Sequence, residues 1–151
     1  MREELNLSQY MSDGIENIIK NVHNRHPLIH CITNYVSIND CANIVLACGG
    51  APIMAEDINE VSQITSICQG LDINIGMLND NKLSSMLKAG ATANELGIPV
   101  ILDPVGAGSS DYRIKAVQNL MSNVQFGVIR GNVSEIKAIA AKQGIHNIAA
   151  G

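Results

Sequence analysis

Two rhythms alternate along the chain: short, nearly unbroken apolar runs, and longer stretches in which apolar residues recur three and four positions apart. The first longer stretch opens on a D-x-x-E pattern at Asp13 and Glu16 and carries Ile15, Ile18, Ile19 and Val22, predicting a helix that Pro27 ends. Leu28 to Ile32 then reads as a buried strand. A second helix is predicted from Ser37 with Cys41, Ile44, Val45 and Cys48 on one face, stopped by Gly49 and Gly50 before the strand Ala51 to Met54. The same alternation continues. A helix from about Asp57 turns Val61, Ile64 and Cys68 inward and stops at Gly70, ahead of the strand Leu71 to Ile75. Leu83, Met86, Leu87 and Leu96 mark the next helix, Ile98 to Leu102 the next strand, Ile114, Val117 and Leu120 another helix, and Phe126 to Ile129 another strand. Asn132 and Glu135 cap a last helix holding Ile136 and Ile139. Apolar strands alternating with helices predict an α/β domain with a mostly parallel central sheet and helices on both faces. Neither a linker nor a repeat breaks residues 1–151, which predicts a single domain.

Composition narrows what such a domain does. With 151 residues, 46% of them hydrophobic, the chain is long enough to bury roughly two thirds of its unfolded surface. Ten Lys and Arg stand against fourteen Asp and Glu, a formal net charge of -4 that lacks the basic surplus of a nucleic-acid binder. Aromatics make up 3% with no Trp, so no stacking platform for bases can be assembled. No apolar run approaches the roughly 18 residues of a membrane span. Met1 to Asp13 has no apolar core, so a secretory leader is not expected and a cytoplasmic protein is. Cys31, Cys41, Cys48 and Cys68 form no C-x-x-C pair and sit in apolar segments, which predicts reduced, buried thiols. His30, inside a strand pattern, is expected to be a satisfied core histidine, and neither it nor His23, His26 and His146 has a metal-ligand spacing.

Parallel sheets hold their ligands in loops beyond the carboxyl ends of the strands. In Asp103-Pro104-Val105-Gly106-Ala107-Gly108, Pro104 stiffens the turn and the glycines allow close approach of a ligand; Asp103 suits either a metal or phosphate site or the cap of a strand-to-helix turn. Neither a dinucleotide fingerprint nor a P-loop is present. Arg130 ends a strand and suits phosphate oxygens. Glu135 either completes a capping box with Asn132 or reaches a hydrated magnesium ion, which needs only one or two carboxylates besides phosphate oxygens. Met54 reads as core or as the lining of an apolar pocket, and Asn34 as a ligand-binding amide or the cap of its own turn.

The segments from Pro27 to Val36, Ala51 to Glu56, Ile73 to Gly76, Asp103 to Gly108 and Val128 to Glu135, in this order, resemble hydroxyethylthiazole kinase. The resemblance runs from Pro27 to the carboxyl terminus. It implies a ribokinase-like fold and transfer of the γ-phosphoryl of ATP to 4-methyl-5-(2-hydroxyethyl)thiazole, which salvages the thiazole half of thiamine. On this resemblance Met54 and Asn34 bind the thiazole, Arg130 binds ATP, and Asp103 and Glu135 lie with Mg2+ and phosphate. It also implies a homotrimer with the thiazole bound where two subunits meet, and a later half whose Gly-Thr-Gly-Cys segment forms the anion hole. That segment has no match here, so the chain looks like the amino-terminal half of such a kinase, with an exposed strand edge and an uncovered apolar face. No catalytic residue is assigned within the chain. The alternatives are a non-catalytic remnant or half-enzyme subunit, and another ribokinase-like kinase of small alcohols such as a hydroxymethylpyrimidine.

Overall fold

The computed structural model of the chain describes residues 7–142; Met1 to Asn6, His146 and the closing residues from Gln143 lie outside them. Among the described residues six helices and five strands alternate: α1 Leu7–Arg25, β1 Leu28–Ile32, α2 Ile38–Ala47, β2 Ala51–Ile53, α3 Val61–Ser66, β3 Gly70–Asn74, α4 Asp80–Glu95, β4 Val100–Asp103, α5 Asp111–Asn123, β5 Val128–Ile129 and α6 Val133–Lys142. Every strand pair is parallel and the order across the sheet is β2-β1-β3-β4-β5. β1 therefore hands the chain to one side and all later crossovers run to the other. With right-handed crossovers, α2 lies on the face of the sheet opposite α3, α4 and α5.

Partner residues in a parallel ladder share a face. The row Ile32, Ile73, Leu102 belongs to the covered face and is buried, with Leu71, Ile75 and Val100 beside it. Met86, Ala89 and Ala93 of α4, Ile114, Val117 and Leu120 of α5, Val61 of α3 and Ile139 of α6 complete this core. The neighbouring row, on the other face, runs Cys31, Asp72, Ile101, Val128. Exposure climbs along it from buried Cys31 to 41% at Ile101 and 52% at Val128. The uncovered apolar face and exposed edge strand expected from the sequence are both present among the described residues.

Several local expectations change in the folded chain. α1 starts at Leu7, upstream of Asp13, and its apolar stripe is exposed, Ile18 at 63%. α2 likewise has no buried residue. α3 starts at Val61 because the Asp57 carboxylate closes a turn on the Asn59 backbone and side-chain N–H groups (2.8 and 2.9 Å), and so does not cap the helix. All four cysteines are free, but Cys48 is exposed and Cys41 only partly covered; both belong to the α2 layer, which nothing overlies among the described residues. His30 is a buried core histidine, its Nε2 donating to the Ala55 carbonyl (2.8 Å) and its Nδ1 paired with the Thr65 hydroxyl (2.9 Å).

Candidate active site at the strand ends

The order β2-β1-β3-β4-β5 places a topological switch point between β1 and β3, where open parallel sheets form their ligand crevice. A line of polar side chains crosses the strand ends there. Asn34, after β1, donates from Nδ2 to Asn74 Oδ1 (3.3 Å); Asn74, the last residue of β3, donates to Asp103 Oδ2 (3.1 Å); Arg130, after β5, donates to the same oxygen (3.2 Å). Each amide points its dipole toward the carboxylate, so the contacts polarise one another. Asn34 Oδ1 also accepts from the Ser37 backbone N–H (3.1 Å), so the side chain caps its own turn while its Nδ2 joins the line.

Asp103 is not a helix cap, for Ser110 caps α5 by accepting from the Arg113 N–H (3.2 Å). Half-burial raises the Asp103 carboxyl above its ordinary pKa and Glu135 adds to the rise, while Arg130 and the Asn74 hydrogen bond oppose it. The loop that follows is held from two sides. Gly106 adopts φ +67°, a left-handed conformation that favours glycine, and its N–H donates to Glu135 Oε1 (2.9 Å). From α5, the Arg113 guanidinium donates to the carbonyls of Ile75 (2.8 Å), Val105 (2.8 Å) and Gly76 (2.6 Å), tying the β3 exit to the loop.

Glu135 forms the predicted capping box: Asn132 Oδ1 accepts from the Glu135 N–H (3.0 Å), and Glu135 Oε2 accepts from the Asn132 N–H (2.8 Å). The carboxylate thereby joins the amino terminus of α6 to the glycine loop. Gly131 leaves room for it: a Cβ there would lie 2.9 Å from Glu135 Oε2, so the carboxylate would have to shift. Asp103, Arg130, Gly131, Asn132 and Glu135 together line one cavity of about 370 Å³. Arg130 is 79% exposed at its rim.

Met54 follows β2 directly and lines a second cavity of about 190 Å³ with Cys31, Thr33, Tyr35, Ile38, Ala55 and Glu56. The predicted residues are thus brought to one end of the sheet in two groups. Asn34 is not among the residues lining the Met54 cavity; it stands between the groups, linked through Asn74 to Asp103. Asn74, Arg113 and Lys82 escaped sequence reading. Asn74 at a strand end followed by Gly76 carried a signal, whereas Arg113 and Lys82 sit in ordinary amphipathic helices.

As to a metal, no cluster of three or more His, Cys, Asp or Glu suited to an ion exists among the described residues. Two carboxylates, Asp103 and Glu135, share one cavity, and that suits magnesium, which takes one or two carboxylates and completes its shell with water and phosphate oxygens.

The profile of the Hydroxyethylthiazole kinase family matches residues 19–148. The chain belongs to this family. A hydroxyethylthiazole kinase of Clostridium acetobutylicum is 62% identical over 127 residues, 84% of this chain and 46% of that protein. One from Methanobrevibacter smithii is 48% identical over 131 residues, covering 87% and 46%. The solved structure of hydroxyethylthiazole kinase from Pyrococcus horikoshii OT3 superposes with a TM-score of 0.85 at 39% identity, over 87% of this chain and 52% of that one. The chain spans about half the length of these relatives. The receiver domain of a sensor histidine kinase from Pseudomonas aeruginosa PAO1 has a TM-score of 0.52 at 13% identity, a likeness of fold alone. No described helix is long and apolar enough to cross a membrane.

Proposed function

We propose that this member of the hydroxyethylthiazole kinase family supplies the amino-terminal half of a cytoplasmic enzyme that transfers the γ-phosphoryl of ATP to 4-methyl-5-(2-hydroxyethyl)thiazole. The observation that carries the reading is the polar line Asn34, Asn74, Asp103, Arg130, which runs across adjacent strand ends from Asn34, the chain neighbour of the Met54-cavity residues Thr33 and Tyr35, to the cavity of Asp103 and Glu135. In this reading the thiazole ring lies against the Met54 thioether. Asn34 orients the hydroxyethyl arm toward the second cavity, and the Arg130 guanidinium forks onto phosphate oxygens. Asp103 and Glu135 hold Mg2+, which neutralises charge on the transferred phosphoryl when bound. Glu135 also fixes the Gly106 loop beneath the phosphates.

Phosphoryl transfer depends on positioning and on stabilising charge at the transferred group. The anion hole and the group nearest the reacting hydroxyl belong, on this reading, to the remaining half of the family's length. Exposed Tyr35, which lines the Met54 cavity, and its exposed chain neighbour Val36 suit contact with a neighbouring subunit of a trimer. Calorimetric titration with magnesium and a non-hydrolysable ATP analogue tests the assignment. Arg130→Ala is expected to weaken binding about tenfold to a hundredfold, the worth of hydrogen bonds to a charged group; unchanged affinity refutes it.

The exposed row of Ile101 and Val128 favours a second reading, a half-enzyme that is catalytically silent alone. Restoration of kinase activity by adding the carboxyl-terminal half in trans supports it, and no restoration favours a non-catalytic remnant. Preference for a hydroxymethylpyrimidine over the thiazole alcohol in competition overturns the substrate.

A further inference from the structure

Lys82, in the first turn of α4, is 3% exposed, an unusual position for an ammonium group. Its charge is absorbed entirely within the protein. Nζ forms an ion pair with Glu56 Oε2 (2.9 Å), donates to the Thr33 carbonyl, and lies 4.6 Å from the centroid of the Tyr35 ring. The Tyr35 hydroxyl in turn donates to the other oxygen of Glu56. Thr33, Tyr35 and Glu56 all line the Met54 cavity, so one buried cation from a distant helix fixes three of its walls.

The pairing also sets the charge of that cavity. Its remaining walls are Cys31, Ile38, Met54 and Ala55, and the Cys31 thiol is pushed up to about 12, by burial first and by Asp72 next, which keeps it neutral. Glu56 is the one carboxylate among the lining residues, and its 40% exposed side chain is balanced by Lys82. Without Lys82, Glu56 would offer an unpaired negative charge to whatever enters.

We infer that Lys82 is a specificity-determining residue: held against Glu56, it makes the Met54 cavity electrically neutral, so that the cavity takes an uncharged heteroaromatic ring and rejects an N-alkylated, cationic one. The inference rests on the thiazole reading above. It assigns Lys82 no contact with the ring; Lys82 acts through Glu56, Thr33 and Tyr35.

The test is calorimetric titration of the full chain with 4-methyl-5-(2-hydroxyethyl)thiazole and with its N-methylthiazolium counterpart. The unsubstituted chain is expected to prefer the neutral ring by roughly twofold to fivefold, the scale of one screened charge interaction. Lys82→Met should erase or reverse that preference, Lys82→Arg should keep it, and Lys82→Met combined with Glu56→Gln should restore it by making the wall neutral again. A structural role alone would weaken both ligands equally and leave the ratio unchanged. If Lys82→Met fails to fold, Glu56→Gln alone carries the test, because the uncompensated Lys82 should then disfavour the cation further. An unchanged ratio in the folded variant overturns the inference. Binding of neither ring by the unsubstituted chain is a different outcome, which overturns the thiazole reading and the inference with it.

Discussion

Asp72 is a carboxylate in the middle of an otherwise apolar row of the sheet, Cys31, Asp72, Ile101 and Val128. It lies between Cys31 and Ile101 on the sparsely covered face, and burial, with the charge of Asp103, pushes its pKa from 3.8 to about 6 against the lowering effect of Arg130. A carboxyl whose folded pKa is raised binds its proton more tightly in the native state than in the unfolded one. Its contribution is therefore fully present below pH 4 and is lost as pH rises through 6. A rise of about two units corresponds to roughly 3 kcal/mol between those limits. Asp72→Asn keeps the shape and removes the titration. Urea unfolding of both proteins at intervals from pH 4 to pH 8 should therefore show the variant gaining on the parent by up to about 3 kcal/mol, with most of the gain between pH 4 and 6.5. Titrations of groups that do not interact with Asp72, including that of His30, cancel in the difference; that of Asp103, whose charge acts on Asp72, does not, and the variant is expected to lower it. A stability difference that stays constant over this range would refute the reasoning, because it would mean that Asp72 ionises in the folded chain as it does in water.

Other substitutions test the loops and the core. Glu135→Ala removes acceptors from the Gly106 and Asn132 N–H groups, and should cost about 2 kcal/mol in urea unfolding while lowering affinity for magnesium and the nucleotide analogue. Gly90→Ala would place a Cβ 2.5 Å from Val124 Cγ2 where α4 meets the end of α5. It should destabilise by about 1 to 2 kcal/mol despite the better helix propensity of alanine, and adding Val124→Ala should recover part of the loss.

How much was legible in the sequence varies with the range of the interaction. Apolar period and glycine or proline stops located all the strands and helices, with ends displaced by a few residues where a side chain intervened, as Asp57 did before α3. The Asn132 and Glu135 box was readable because both partners lie within one helical turn. The resemblance to the family assigned Met54, Asn34, Asp103, Arg130 and Glu135 to one site; the structure brings them to one end of the sheet, with Met54 in one cavity, Asp103, Arg130 and Glu135 in another, and Asn34 linked to Asp103 through Asn74.

The tertiary structure decided what depends on strand order. Asn34 and Asn74 are forty residues apart, and Lys82 and Thr33 forty-nine; they meet because β3 lies beside β1 and the connections on either side cross opposite faces. The same crossovers leave the stripes of α1 and α2 and the Ile101 and Val128 row without cover among the described residues, although periodicity marked the helical stripes as inward. Hydrophobic period reports which face of an element is apolar. It carries no record of what lies opposite that face, because burial is a property of pairs of surfaces and the strand order alone brings those pairs together.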